Sequence, residues 1–414
     1  MSAHPAPSPR PSPPGRGRGR NAACAPRFPA AVRFNIDGRF TSFSSSEGER
    51  AGVRGLSHVV ATVRILLLLL TTTYLSAAER IVLVAGGGSD TNTTPIPATS
   101  AKLSSPFGVD FDAAGNLYLV EMTGQRVRKM DKDGMLSVVA GTGEKGSTNG
   151  PALQAEFNGI HNLAISGTDD IWLADTWNSC VRIFNPRSGT VGRVIGTGER
   201  GFSGDGGPAV RAKFGNIYCV SIGLDATNIY LADLDNARIR AVDMKSGRVR
   251  TVAGNGKKGI PPDGSRAVEA PLVDPRAVIA DRAGRVYVLE RSGNALRVVE
   301  TNGAIRTVVG TGQKGFSGDG GEASFATLNG PKHLCFDHDD SVLIADTENH
   351  VIRRYTPATG LIARVAGTGK KGSKGVGGSP LECELNQPHG VYVHGDGSLY
   401  ISDSSNHRVL KIVK

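Results

Sequence analysis

A glycine-rich motif that recurs at a nearly constant interval constrains this chain more than any other feature. The motif has the form Val-Ala-Gly-Thr-Gly, as at residues 365–369. Its first glycines are Gly86, Gly141, Gly196, Gly254, Gly310 and Gly367, so the intervals are 55, 55, 58, 56 and 57 residues. A period of this size indicates a fold built from one repeated structural unit.

Each unit contains four short apolar segments separated by turns. In the first unit these are residues 108–112, 117–120, 126–130 and 135–140, and Ala114-Gly115-Asn116 forms a typical turn sequence. Six such units without long helices predict an all-β fold, a six-bladed β-propeller of four-stranded antiparallel blades.

The two ends of the repeat region complement each other. The last unit stops after its third strand, at residues 409–414, and the front fragment Ile81–Val84 has no unit of its own. We therefore expect this N-terminal strand to complete the last blade, which closes the ring and removes an exposed sheet edge. The propeller is predicted to span residues 79–414.

The front of the chain has a different composition. Residues 1–60 are rich in Pro, Gly, Ser and Arg and are predicted to be disordered. In residues 61–78, Arg64 precedes an apolar run at 65–75 and small residues at 76–78, a pattern typical of a secretory signal. A hydrophobic linker or a buried strand is the alternative. Because of its depth in the chain, we expect translation to start near Val53 or Val59.

This pattern predicts a secreted, periplasmic or cell-envelope protein without an integral membrane span, since the apolar run is shorter than the roughly 20 residues that a span needs. Residues 1–64 contain ten Arg and three acidic residues, so they account for seven of the ten net positive charges. The repeat region is nearly balanced, and its charge gives no reason to expect nucleic-acid binding.

Two turns resemble the NHL repeat, in which Asn-His follows an acidic residue. They are residues 346–353 (Asp-Thr-Glu-Asn-His-Val-Ile-Arg) and 403–409 (Asp-Ser-Ser-Asn-His-Arg-Val). The linkers 201–207 and 315–321, both Gly-Phe-Ser-Gly-Asp-Gly-Gly, are similar to those of long-repeat, secreted bacterial NHL proteins. The resemblance implies a six-bladed propeller that acts as a binding platform. Distant relatives include lactonases and an amidating lyase. Blades one and four depart from the pattern at 124–125 and 293–294.

One candidate site consists of the residues that enter the first strand of each blade, next to the central channel. They are Phe107, His161, Tyr218, Arg276, Lys332 and His389. Cations and aromatic rings at one opening suit a carboxylate or sulfate ligand. Alternatively, His161 and His389 share a metal ion, with His333 as a third ligand, although two histidines alone make a poor zinc site.

A second candidate site is a rim of basic residues that follow the fourth strands. They are Lys145, Arg200, Lys258, Lys314 and Lys371, with Asp90 at this position in the closing blade. These side chains are either ordinary solvated lysines and arginines or an electropositive rim that attracts an anionic partner. Trp177 lies in the second-to-third turn of blade two, on the same face of the ring as these basic residues, and is a candidate contact for sugar or protein.

Other polar residues are assigned to the scaffold. The six acids that end the second strands are expected to cap turns and to pair with arginines such as Arg182 and Arg240. Asp205 and Asp319 are expected to close glycine turns, with Ca²⁺ binding as the alternative. Cys180, Cys219, Cys335 and Cys383 are expected to be buried free thiols.

The sequence thus predicts an exported, monomeric, non-enzymatic platform without a required cofactor, which binds an anionic polysaccharide, another carbohydrate or a protein on one face. We call this face, which carries the second-to-third turns and the linkers between blades, the top face. The alternative is a metal-assisted lactonase or lyase with its site at the mouth of the channel, where Zn²⁺ or Ca²⁺ would bind.

Overall fold

The computed structural model describes residues 79–413. The predicted disordered region and the signal-like segment lie outside these residues. The strands in chain order are β1 (Arg80–Gly86), β2 (Ile96–Pro97), β3 (Pro106–Phe111), β4 (Leu117–Glu121), β5 (Arg126–Met130), β6 (Met135–Ala140), β7 (Gly150–Pro151), β8 (Ile160–Ile165), β9 (Ile171–Asp175), β10 (Cys180–Asn185), β11 (Thr190–Ile195), β12 (Ile217–Ile222), β13 (Asn228–Asp233), β14 (Arg238–Asp243), β15 (Val249–Ala253), β16 (Pro275–Ala280), β17 (Val286–Glu290), β18 (Ala295–Val299), β19 (Ile305–Val309), β20 (His333–Phe336), β21 (Val342–Asp346), β22 (Val351–Thr356), β23 (Leu361–Ala366), β24 (Gly390–Val393), β25 (Leu399–Asp403) and β26 (Arg408–Val413).

These strands form six antiparallel sheets, one for each repeat. The first strands β3, β8, β12, β16, β20 and β24 contact one another in a closed circle and surround the central channel. The two-residue strands β2 and β7 add a fifth strand to blades one and two. The predicted six-bladed propeller is therefore confirmed.

The ring is closed by its two ends. Strand β1 pairs with β26 in the last sheet, where Ile81 lies opposite Ile412 and Leu83 opposite Leu410. The Ile81 side chain is fully buried in the apolar core between blades five and six. Closure by the N-terminal strand was predicted from the sequence and is confirmed.

One-turn 3-10 helices were not expected from the sequence. Four of them lie in second-to-third turns, at Thr176–Asn178, Leu234–Asn236, Thr347–Asn349 and Ser404–Asn406. Five lie in the linkers, at Ala98–Ser100, Ala152–Gln154, Ala209–Arg211, Ala323–Phe325 and Pro380–Glu382. The second-to-third turns of blades one and four contain none within the part of the chain that the structure describes, in agreement with their departure from the repeat pattern.

The acids that end the second strands hold the scaffold together. Each forms an ion pair with an arginine of the third strand of its own blade, as the sequence suggested. The pairs are Glu121–Arg128 (2.7 Å), Asp175–Arg182 (3.3 Å), Asp233–Arg240 (3.7 Å), Glu290–Arg297 (2.9 Å), Asp346–Arg353 (3.7 Å) and Asp403–Arg408 (2.7 Å). The same acids accept hydrogen bonds from linker N–H groups, such as Asn329 N–H to Asp346 Oδ1 at 2.8 Å.

Candidate functional site

The channel opens on the top face into a cavity of about 310 Å³. All six residues that the sequence predicted at this opening line it, because each enters a first strand at the same height: Phe107, His161, Tyr218, Arg276, Lys332 and His389. We call this cavity the channel mouth. Met122, Arg291 and Gln387 also contribute to its wall.

Aromatic rings cover one side of the channel mouth. The Phe107 ring stacks on the His389 imidazole with a centroid distance of 3.8 Å and meets the His161 ring edge-on at 5.2 Å. The Tyr218 ring lies edge-on to His161 at 4.7 Å. These contacts fix the orientation of both imidazoles and give the mouth an aromatic wall.

Both histidines of the mouth are neutral near pH 7. His161 Nδ1–H donates to the Gly159 carbonyl oxygen (2.8 Å) and His389 Nδ1–H to that of Gln387 (3.1 Å), which leaves each Nε2 as an acceptor. Burial holds the pKa of each imidazole well below its usual value, and the nearby Arg276 and Lys332 lower both pKa values further. The two imidazoles therefore add no positive charge to the mouth.

Arg276 is the most unusual group of the site. Its side chain is 5% exposed, and its guanidinium lies over the Tyr218 ring at 3.9 Å. Its Nε has no hydrogen-bond partner among residues 79–413, and desolvation lowers the pKa of the group. Asp274, two residues before Arg276 in the chain, is bound by Lys258 (3.0 Å), Arg291 (3.3 Å) and Ser292. A buried cation without a carboxylate partner is energetically costly.

Lys332, by contrast, is neutralised. Its Nζ lies 2.7 Å from Glu348 Oε1, and Gln387 Nε2–H donates to the other oxygen of this carboxylate at 2.9 Å. Burial lowers the pKa of Lys332, and Lys332 in turn helps to lower the pKa of Glu348. Lys332 therefore shapes the mouth, whereas Arg276 carries its uncompensated charge.

The channel is blocked below the mouth. Asn162 Nδ2 lies 2.9 Å from His333 Nε2, a contact that joins blade two to blade five across the channel. Asn162 Oδ1 also accepts the Val220 N–H (2.9 Å). His333 lines a separate cavity of about 350 Å³ on the far side, together with Asp110 and Cys335. His333 thus lies in a different cavity from His161 and His389, and the three histidines do not form one metal-binding group among residues 79–413.

The five basic residues of the rim have different partners. Arg200 pairs with Asp235 (2.6 Å) and Lys258 with Asp274 (3.0 Å). Lys145 lies over the Trp177 ring, 5.8 Å from its centroid. Lys314 and Lys371 are exposed and have no ion-pair partner within residues 79–413.

Trp177 connects the rim to the channel mouth. Its side chain is 41% exposed, and its ring meets His161 edge-on at 5.5 Å. Gly159 leaves the space for this ring, since a Cβ there would lie 2.3 Å from the indole. An exposed indole therefore lies directly beside the mouth.

Residues 79–413 contain no group of three or more His, Cys, Asp and Glu side chains that could hold one metal ion. His161 and His389 have the right tautomer for metal ligands, but they fall short of the three or four ligands of a zinc site. Asp205 and Asp319 bind guanidinium groups: Arg240 Nη2 lies 2.7 Å from Asp205 Oδ1, and Arg353 Nη2 lies 2.8 Å from Asp319 Oδ1. The four cysteines are free; Cys180, Cys219 and Cys383 are buried and Cys335 is half-buried.

Sequence reasoning missed the residues that decide the charge of the mouth. Glu348 and Arg291 lie in second-to-third turns, two and one positions after the acid of the repeat. Asn162 follows His161 in β8, where the register shifts between Ile160 and Asn162, and it reaches His333 across the channel. Regular alternation sends consecutive side chains to opposite faces of a strand, so the pattern did not predict Asn162, and nothing in the sequence shows that Asp274 prefers Lys258 and Arg291 to Arg276. No helix among residues 79–413 is long and apolar enough to cross a membrane.

Comparison with known proteins agrees with this architecture. The family model described as "NHL repeat" matches residues 385–412. The chain is 26% identical over 342 residues to NHL repeat-containing protein 2 of Gallus gallus, which covers 73% of this chain and 46% of that protein. It is 23% identical over 279 residues to the protein SUPPRESSOR OF QUENCHING 1, chloroplastic, of Arabidopsis thaliana, with 65% and 26% covered. The chain thus spans less than half the length of these relatives.

Among solved structures, an auxiliary nutrient binding protein from Bacteroides thetaiotaomicron VPI-5482 matches with a TM-score of 0.59 and 15% identity, over 81% of this chain and 76% of that one. At this identity the likeness shows the fold alone. The repeat match, the relatives and the six sheets agree with one another. The chain thus matches the NHL repeat at residues 385–412, resembles NHL repeat-containing proteins over most of its length and folds into a six-bladed β-propeller.

Proposed function

We propose that this protein is an exported, monomeric binding platform that holds the carboxylate or sulfate group of an anionic ligand in the channel mouth. Arg276 is the observation that carries the proposal. Its buried guanidinium has an Nε without a partner among the described residues and no acidic side chain to compensate its charge. An anionic group would provide both the hydrogen-bond acceptor and the counterion.

The walls of the mouth favour an acidic carbohydrate over other anions. Phe107 and Trp177 offer ring faces and edges, and His161 and His389 each keep an Nε2 acceptor for a hydroxyl group. A sugar presents an apolar ring face together with hydroxyl donors, so it matches this combination. Lys314 and Lys371 on the rim would attract further acidic residues of the same chain or an acidic protein.

The proposal is tested by calorimetric titration of the protein with tri-galacturonate and with neutral tri-galactose. Arg276→Gln removes the charge but keeps a polar group, and Arg250→Gln, on the exposed outer strand β15, is the matched control. We expect tri-galacturonate to bind the wild type and the control equally, and Arg276→Gln at least about tenfold more weakly, since a charged hydrogen bond contributes roughly 1.5–3 kcal/mol. Equal affinity of Arg276→Gln, or a preference for the neutral sugar, would overturn the proposal.

A lactonase or lyase activity is the second candidate. It is favoured by two neutral imidazoles whose Nε2 atoms are available as a base or as metal ligands. Metal analysis of the purified protein, together with the His161→Ala/His389→Ala double variant, separates the two functions. Stoichiometric zinc that is lost in the double variant would indicate the enzyme. Anion binding retained by the metal-free protein would indicate the platform.

A further inference from the structure

Blade two contains an arginine whose environment differs from that of its counterparts. Arg182, Arg240 and Arg353 occupy the same position in the third strands of blades two, three and five, and all three are at most 1% exposed. The two terminal nitrogens of each arginine donate to two carbonyls of a linker. The carbonyls belong to Glu156 and Thr148 for Arg182, to Lys213 and Ser203 for Arg240, and to Thr327 and Ser317 for Arg353. The three side chains are therefore held in the same way at their tips.

The Nε atoms of these three arginines differ in their hydrogen-bond acceptors. Arg240 Nε donates to Asp205 at 3.0 Å, and Arg353 Nε donates to Asp319 at 2.9 Å. In blades one and four the corresponding Nε donates to the acid of its own blade, at 2.7 and 2.9 Å. Blade six has Leu410 at this position. Arg182 Nε is buried and has no partner among residues 79–413.

The missing acceptor has a simple cause in the sequence. In the linker into blade three, Gly196 N–H donates to the Ala209 carbonyl, 13 residues later. In the linker into blade two, Gly141 N–H donates to the Ala152 carbonyl, only 11 residues later. The shorter linker lacks the Gly-Asp-Gly-Gly segment that supplies Asp205. Blade two therefore has the arginine of the motif without its carboxylate.

The vacated position is a cavity of about 220 Å³, lined by Arg182, Arg193, Ser147, Asn149 and Asn178 among others. Its volume corresponds to roughly seven water molecules of about 30 Å³ each, enough for a small carboxylate. Arg193 strengthens the positive charge at this place. It lies opposite Arg182 on the neighbouring strand, where blade three has Thr251 opposite Arg240.

Two acids also line the cavity, but both have other partners. Asp175 already accepts hydrogen bonds from Asn158 N–H and Asn178 Nδ2 and lies 3.3 Å from Arg182 Nη1. Glu199 pairs with Lys213 at 2.7 Å. Neither reaches Arg182 Nε, so the position of Asp205 stays without an internal carboxylate in blade two.

We infer that the cavity between Arg182 and Arg193 is a binding site for a carboxylate group, which occupies the position that Asp205 fills in blade three. The carboxylate accepts the Arg182 Nε–H bond and pairs with Arg193 at the cavity entrance. It comes from a small organic acid or from an acidic side chain of a protein. The site is separate from the channel mouth and does not depend on the function proposed for it.

Thermal unfolding at constant ionic strength tests this inference. Malonate represents the free acid, N-acetyl-aspartyl amide represents an acidic side chain, and chloride is the reference salt. A ligand that binds only the folded protein raises Tm, and we expect a saturable rise of roughly 1–2 °C over chloride. A response to malonate alone identifies a free acid, and a response to the aspartyl amide alone identifies an acidic side chain; both support the site.

The variants avoid the deeply buried Arg182. Arg193→Thr installs the residue that blade three has at this position, and it should abolish the rise relative to its own Tm in chloride. Arg364→Thr is the matched control, because Arg364 lies opposite Arg353 in blade five, where Asp319 is present; it should keep the full rise, as should Arg276→Gln. No rise in any protein, or the same rise in Arg193→Thr, would show a water-filled cavity only and overturn the inference.

Discussion

Buried His161, half-buried His389 and buried Arg276 give the channel mouth its chemistry at the scale of single residues. The hydrogen bonds from Nδ1 to backbone carbonyls fix the tautomers of His161 and His389, and burial next to Arg276 keeps both rings neutral. Arg276 contributes a charge that the described part of the protein does not balance. The proposed binding of an anion at the mouth rests on this charge.

The lowered pKa values of these histidines predict a pH dependence of stability. In the unfolded chain each imidazole takes up a proton as the pH falls through about 6.5, whereas in the folded protein it stays neutral. Stability from these groups is therefore complete above pH 6.5 and is lost as the pH falls below it. Between pH 7.5 and 5.5 we expect wild type to lose about 1 kcal/mol per histidine relative to the His161→Gln/His389→Gln variant, measured by denaturant unfolding. A difference that does not change with pH would contradict this.

Gly159 is predicted to be required for the placement of Trp177. Its φ of +70° and the 2.3 Å approach of a Cβ to the indole both disfavour Gly159→Ala. Gly189→Ala is a matched control, since Gly189 has φ +65° but no atom within 4 Å of a Cβ. We expect both variants to lose about 1 kcal/mol from backbone strain. Gly159→Ala alone should shift the Trp177 fluorescence, measured in a Trp172→Phe background. The same spectrum in both variants would refute the role of Gly159.

At the scale of elements, the second-to-third turn explains the repeat sequence itself. In blades five and six the His after the Asn, His350 or His407, accepts an N–H from the linker of the next blade: Gln387 at 3.1 Å or Ser105 at 3.2 Å. Gln125 and Asn294 do the same in blades one and four, to Gly159 (2.7 Å) and Gly330 (2.9 Å). The turn therefore couples neighbouring blades, whether or not it has the Asn-His sequence.

The Asn side chain of this turn is predicted to stabilise the fold by hydrogen bonds to the linker and to the acid of its own blade. Asn349 Nδ2 donates to the Gly315 carbonyl at 2.7 Å and to Asp346 Oδ2 at 2.8 Å, and its side chain is 7% exposed. Asn349→Ala leaves two buried acceptors without this donor, so we expect a loss of about 2 kcal/mol in the free energy of unfolding. Asn302→Ala, in an exposed turn where Asn302 accepts the Ala304 N–H, should cost well under 1 kcal/mol. Equal losses in the free energy of unfolding of the two variants would contradict this role of Asn349.

At the scale of the whole molecule, the fold could be predicted because the period of the repeat can be determined from the sequence without knowledge of any contact. The spacing of Gly86 to Gly367 defined the six blades, and the unpaired strand Ile81–Val84 defined their closure. The ring symmetry then placed Phe107 to His389 around one opening. Contacts that break the symmetry could not be predicted: the Asn162–His333 contact across the channel and the ion pairs of Asp274 depend on individual side-chain geometry.

Closure by β1 predicts that the whole ring depends on seven residues at its beginning. Without residues 80–86, β26 would present an unpaired edge, and the core between blades five and six would lose the fully buried Ile81. Because an open edge is a template for pairing with another chain, we expect this deletion to aggregate or to melt without a cooperative transition, as followed by light scattering and circular dichroism. Ile81→Ala is the graded control: it keeps the backbone pairing, removes only buried methyl and methylene groups, and should lower stability by about 2–4 kcal/mol while the protein keeps its size in solution. If the deletion variant instead kept the wild-type Tm and molecular mass, the joint between the two ends would not be what holds the six blades in one ring.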